Sequence, residues 1–85
     1  SERELTMRLR VTDGGQGVQG ARLTFRFARP KATPFYTQVV TDDSGQAEMK
    51  IEMEEEALPD TAVLVQANYS GRTATRKFQL RKVEQ

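Results

Sequence analysis

The chain contains no cysteine, no histidine and no tryptophan. Without Cys there is no disulfide, no thiolate metal ligand and no sulfur nucleophile. Without His, imidazole metal sites and every His-based proton relay are excluded as well. Lacking both Cys and Trp, the chain cannot build the disulfide-and-indole core of antibody-type domains. Long apolar runs are also missing. Nothing approaches the roughly 20 residues of a membrane-spanning helix, and no apolar signal-peptide core stands at the N-terminus. No amphipathic helix of useful length is visible, which argues against α/β and α+β folds.

What is present fits one small domain. The 85 residues are 36% hydrophobic and 29% charged, with a formal net charge of +1. A chain of this size buries roughly 60–65% of its extended surface, enough for a single two-layer core. Because it opens at Ser1 rather than Met, the chain reads as a segment of a longer protein.

The dominant period is two. In ELTMRLRVT, Leu5, Met7, Leu9 and Val11 alternate with Thr6, Arg8, Arg10 and Thr12. Leu23, Phe25 and Phe27 alternate with Arg22, Thr24 and Arg26, and Ala47, Met49 and Ile51 with Glu48, Lys50 and Glu52. Strict alternation marks strands with one buried face. Residues 35–41 (FYTQVVT) are apolar in both phases, which predicts a more central strand or one beginning at a bulge. Residues 61–69 place Val63, Val65, Ala67 and Tyr69 in one phase. A last strand from Arg72 to Lys82 turns Ala74, Phe78 and Leu80 inward, but Arg76 interrupts that phase. Either the strand bulges there or it lies at an edge where Arg76 snorkels out. The core then falls to aliphatic residues with Phe25, Phe27, Phe35, Phe78 and Tyr69.

Turn chemistry separates the segments. Three glycines crowd residues 13–17, Pro30 and Pro34 bracket a loop, and Asp42-Asp43-Ser44-Gly45 is a tight-turn signal. Residues 54–60 (EEEALPD) form a polar connection able to close in a short helical turn, and Tyr69-Ser70-Gly71-Arg72 closes a hairpin. Strands at 8–12-residue spacing predict an all-β sandwich or small barrel.

Three stretches carry a family resemblance over roughly residues 9–80. VTDGGQGVQGARLTFRF resembles the D-x-x-G-x-P-V-x-G-A-x-V-x-F opening of bacterial Ig-like modules of the invasin and intimin type. TDDSGQAEMKI is similar to their T-D-x-x-G-x-A hairpin, and AVLVQANYSGRTATRKFQL to their closing V-x-A-x-Y-x-G hairpin. Similar turns occur in carboxypeptidase-regulatory-like and macroglobulin-type sandwich domains. One departure is Gly17-Val18, where family members often carry Pro-Val. The resemblance implies an Ig-like antiparallel β-sandwich of about seven strands in two sheets, spanning residues 1–85 as one module. It further implies a secreted or cell-surface bacterial protein in which the module is a non-catalytic spacer or adhesion element.

Candidate chemistry is sparse. Asp42/Asp43 and Glu54/Glu55/Glu56 are adjacent turn carboxylates rather than pairs facing one bond in a cleft, so catalytic residues are expected to be none. Asp42, Asp43, Ser44 and Glu48 offer hard oxygens for calcium but lack the alternating ladder of a dedicated loop; no cofactor and no metal are expected. Leu58-Pro59-Asp60-Thr61-Ala62 departs from a sorting signal at Ala62, and Asn68-Tyr69-Ser70 matches a glycosylation tripeptide of low specificity.

Charge is segregated along the chain. Residues 1–31 sum to +4, residues 32–60 to −7 and residues 61–85 to +4. Arg8, Arg10, Arg22 and Arg26 all fall in outward phases and are read together as a basic face for a glycan, a polyanion or an acidic neighbour. Neighbouring domains of the same chain, or another protein, are the other expected partners, and the chain could equally be an accessory domain of an extracellular enzyme. Nucleic acid is disfavoured because Phe25 and Phe27 lie opposite the arginines and the pI is only about 8.1. Membrane-surface binding lacks an amphipathic helix.

Overall fold

The structure, a computed structural model, describes residues 2–30 and 32–81. It is all-β. Strands β1 (Glu2–Arg10), β2 (Thr12–Asp13), β3 (Gln16–Gly17), β4 (Arg22–Ala28), β5 (Phe35–Val40) and β6 (Gln46–Glu54) lead into a 3₁₀ turn, Glu55–Asp60. Strands β7 (Ala62–Tyr69) and β8 (Arg72–Gln79) follow. In place of about seven strands, the described residues form six strands of six to nine residues and a small hairpin of two two-residue strands.

All pairings are antiparallel. One sheet has the order β5-β4-β7-β8, the second contains only β1 and β6, and β2 pairs with β3 as a flap. The two main sheets share one core. Leu23, Phe25 and Phe27 of β4 and Val63 and Val65 of β7 meet Met49 and Met53 of β6, with Leu5, Met7 and Leu9 of β1 packed alongside. The alternations of β1, β4 and β6 therefore place their apolar sets inward as their period demands.

Several expectations are corrected. Strand β5 is an outer strand, not a central one. Its residues Phe35, Thr37 and Val39 are half-buried, while Tyr36 and Val40 are 62% and 60% exposed. Strand β8 carries no bulge: its ladder runs unbroken from Arg72 opposite Tyr69 to Gln79 opposite Ala62. It is an edge strand that stops at Gln79, and Lys82 lies outside the described residues. Phe78 and Tyr69, expected in the core, are 37% and 39% exposed.

Two junctions hold the layers together. The buried Thr41 hydroxyl accepts the Ala21 N–H at 2.9 Å and donates to the Val18 carbonyl. At the other end, the buried Thr61 hydroxyl donates to the Ala57 carbonyl at 2.7 Å, and Gln79 Nε2 donates to the Pro59 and Thr61 carbonyls. Buried hydroxyls placed this way satisfy backbone groups that would otherwise be stranded.

The sandwich is open along one side. Its radius of gyration is 13.8 Å, against about 12 Å for a compact chain of this length. The exposed surface is 6050 Å², against roughly 5,100 Å² from size scaling. Two strands cannot cover four, and β8 is the strand left over.

Candidate functional site

Register decides where the four arginines go. Arg8 and Arg10 point outward from β1, and Arg22 and Arg26 outward from β4, but these strands belong to different sheets. The arginines therefore lie on opposite outer faces of the sandwich, two and two. The single basic face expected from the sequence is not formed.

On the β1–β6 face, Arg8 stands directly opposite Glu48. Its Nε donates to Glu48 Oε2 at 2.8 Å, while Lys50 Nζ lies 3.5 Å from the other oxygen. Arg10 Nε donates to the Ser44 carbonyl. Both arginines border a depression of about 550 Å³, but Asp42 and Glu48 line it too. Its carboxylates offset the charge an anion would seek.

The outer face of the four-stranded sheet is different. Cross-strand rows place Tyr36, Arg26, Leu64 and Lys77 side by side, then Gln38, Thr24, Gln66 and Thr75, then Val40, Arg22, Asn68 and Thr73. No carboxylate occurs in these rows. Arg26 Nε donates to the Tyr36 hydroxyl at 3.2 Å, and Gln38 Nε2 to the Thr24 hydroxyl at 3.0 Å. Tyr36 and Lys77 join this face only through cross-strand pairing, which the period of a single strand does not reveal.

The carboxylate candidates serve local structure. Asp42 Oδ1 accepts from the Ser44 N–H, the Ser44 hydroxyl and the Gln46 N–H, all at 2.8–2.9 Å. The Gln46 N–H above all, with the two Ser44 donors, holds the carboxyl below its ordinary value of 3.8. Glu48 is likewise lowered, chiefly by the Arg8 guanidinium. Glu55 receives Arg3 Nε at 3.2 Å. No group of three or more metal-ligating side chains gathers among the described residues. Of the sorting-like string, Thr61 is buried in the junction described above. Asn68 accepts a hydrogen bond from the Thr73 hydroxyl at 2.9 Å.

Asp42 gives a pH prediction. A carboxyl whose folded pKa is depressed adds stability above its unfolded pKa, and that stability fades as pH falls through the folded value. Urea midpoints should therefore decline below about pH 4, and the Asp42→Asn variant should show a shallower decline. Parallel midpoint-against-pH curves for the two proteins would remove the turn from this role.

The chain matches no protein-family model, no curated protein and no solved structure. Its geometry is therefore the main guide to function, and the most distinctive part is the open side. Phe78, Arg76 and Ala74 of β8 stand opposite Val63, Val65 and Ala67 of β7. Directly opposed residues share a face, so all three lie on the core-facing side of their sheet, yet among the described residues they stay exposed. Two adjoining grooves of about 210 and 200 Å³ run beside Ala74: the first is bordered by Thr12 and Asp13 of the β2–β3 flap, the second by Leu9 and Arg10 at the end of β1 and by Arg76 of β8. Leu9, Val11, Val65, Ala67 and Ala74 line them. One end is closed by an ion pair between Arg72 and Asp13, 3.1 Å.

Proposed function

We propose that this chain is a non-catalytic interaction module. It is an Ig-like β-sandwich unit of a larger bacterial secreted or cell-surface protein, and its open side docks a neighbouring protein module. The observation that carries this reading is the uncovered inner phase of β8, where Ala74 and Phe78 remain exposed in positions built for a core. The Ig-like assignment rests on the turn motifs of the sequence together with two facing antiparallel sheets. Asp42 serves its own turn, and Glu48 and Glu55 are held in ion pairs with Arg8 and Arg3.

Amide hydrogen exchange tests the reading. Exchange along β8 should be at least tenfold slower in the intact parent protein than in these 85 residues alone. Equal rates in both would overturn it.

A second reading is favoured by the carboxylate-free outer face of the four-stranded sheet, where Arg22, Arg26 and Lys77 sit with Tyr36. That face suits an anionic glycan. Its signature is heparin retention that weakens steeply with salt and is lost in the Arg22→Glu/Arg26→Glu variant. Retention unchanged by that double substitution would discard it.

A further inference from the structure

We propose that the open side binds by strand addition. An extended segment of a partner protein would lie along the free edge of β1, beneath β8, with a carboxylate directed at Arg76. The proposal rests on the docking reading above and specifies its occupant.

The first observation is the edge. Among the described residues, strand β1 has one hydrogen-bonded neighbour, β6, in a two-stranded sheet. In an antiparallel ladder every second residue turns its N–H and C=O away from the partner. Among the described residues, strand β1 therefore has a free hydrogen-bonding edge, whose Leu9–Arg10 end borders the smaller groove. Only an extended backbone satisfies such an edge, so a compact ligand or a helix does not match it.

The second observation is the roof. Sheets stack about 10 Å apart and strands within a sheet lie about 4.8 Å apart. A strand added to β1 takes the next place in its sheet, under the overhanging β8. Its inward side chains would meet Leu9, Val65, Ala74 and Phe78.

The third observation is the charge. Arg76 stands opposite the buried Val65 and faces the groove, where its guanidinium bonds the carbonyl of its own neighbour, Thr75, at 3.1 Å. An inserted strand that covers this guanidinium must supply an acceptor, and a carboxylate gives the strongest charge-assisted pair. The occupant is thus apolar at alternate positions, with Glu or Asp at the one facing Arg76.

A second copy of this chain fits less well, despite a complementary edge. Antiparallel self-pairing of β1 about Thr6 would set Glu2 against Arg10, Glu4 against Arg8 and Leu5 against Met7. Two strands paired in that way are related by a dyad perpendicular to their sheet, which puts both four-stranded sheets on the same side. The two β8 overhangs would then claim the same space. The overhang that shelters a single strand thus blocks self-pairing of two copies through β1.

The test uses the 85-residue chain and two ten-residue probe peptides. Each carries valine at alternate positions and threonine or serine between them, with glutamate in one and lysine in the other at the position facing Arg76. The glutamate peptide should slow exchange of alternate β1 amides and shift the resonances of Ala74 and Phe78. The lysine peptide should bind at least tenfold more weakly, and Arg76→Glu should reverse that preference. Arg76 is exposed, so the variant keeps the fold, which the unchanged resonances of Phe25 and Phe27 would verify. Three results would overturn the proposal: equal binding of both peptides, β1 amides that exchange no more slowly, or a dimer whose β1 amides are protected without peptide. Failure of both peptides with β8 still protected in the parent protein would reject strand addition and leave the docking reading standing.

Discussion

Replacing Phe27 with alanine should lower the unfolding free energy by about 3–5 kcal/mol, the usual range for emptying a buried aromatic site. Phe27 is fully buried on β4 and stands directly opposite Phe35 of β5. The two rings stack with centroids 4.6 Å apart and planes 6° from parallel, and the Arg29 guanidinium lies 4.9 Å over the Phe35 ring. Truncation removes the buried ring and its stacking contact with Phe35, and so loosens the Phe35 ring under Arg29. A domain of this length has a total stability of roughly 4–13 kcal/mol, so the loss takes a large share. With a urea m-value of roughly 1 kcal/mol/M for so small a protein, the midpoint should fall by about 3 M or more. Phe27→Leu retains most of the apolar volume and should lose much less. If alanine and leucine gave the same midpoint, the ring would not be the element that joins β5 to the core.

The parts of the fold legible in the sequence are those where one face of a strand is buried and the other is wet. Strands β1, β4 and β6 meet that condition, so alternation alone assigned the inward residues Leu5, Phe25 and Met49. Strand β5 did not, because Tyr36 and Val40 are apolar residues on its solvent side. Exposed apolar residues are common and say little about position in a sheet. Strand β8 was ambiguous for the opposite reason. Its inward phase, Ala74-Arg76-Phe78, has no sheet beneath it, so no burial requirement excluded an arginine. The edge alternative for Arg76 was correct in outline, but the groove it faces depends on β1 and β8 lying in different sheets. The four outward arginines part for the same reason. Period assigns a side chain to one of two faces of its own strand, while the pairing of β1 with β6 and of β4 with β5 and β7 determines which side of the molecule that face becomes. Pairing is a long-range property that alternation does not encode.

Gly45→Ala should be the second severe substitution, costing more than about 2 kcal/mol, because two separate effects act at that position. Its backbone has φ of +84°, where a Cβ is disfavoured, and an added Cβ would lie 2.5 Å from the Val11 carbonyl oxygen and 2.7 Å from Gly17 Cα. Those neighbours are main chain and cannot rotate away. They are also tied down, since Val11 N–H donates to the Gly45 carbonyl at 2.8 Å and Val18 N–H to the Val11 carbonyl at 3.0 Å. Gly17 completes the contact: a Cβ there would fall 1.9 Å from the Ser44 carbonyl oxygen. The two turn motifs that carry the family resemblance thus pack backbone against backbone, and each requires glycine because of the other. Gly15 provides the comparison. Its φ is +83°, but nothing lies within 4 Å of an added Cβ, so Gly15→Ala should show only the conformational penalty of about 1–2 kcal/mol. Thermal or urea unfolding of both variants separates crowding from backbone strain, and equal losses would mean that the junction yields without resistance. The prediction extends to the open side. The junction anchors the β2–β3 flap, whose Asp13 bridges to Arg72 at the end of the groove. A Gly45→Ala chain that still folds should therefore exchange its flap amides faster, and it should bind a strand-adding peptide more weakly than Gly15→Ala does.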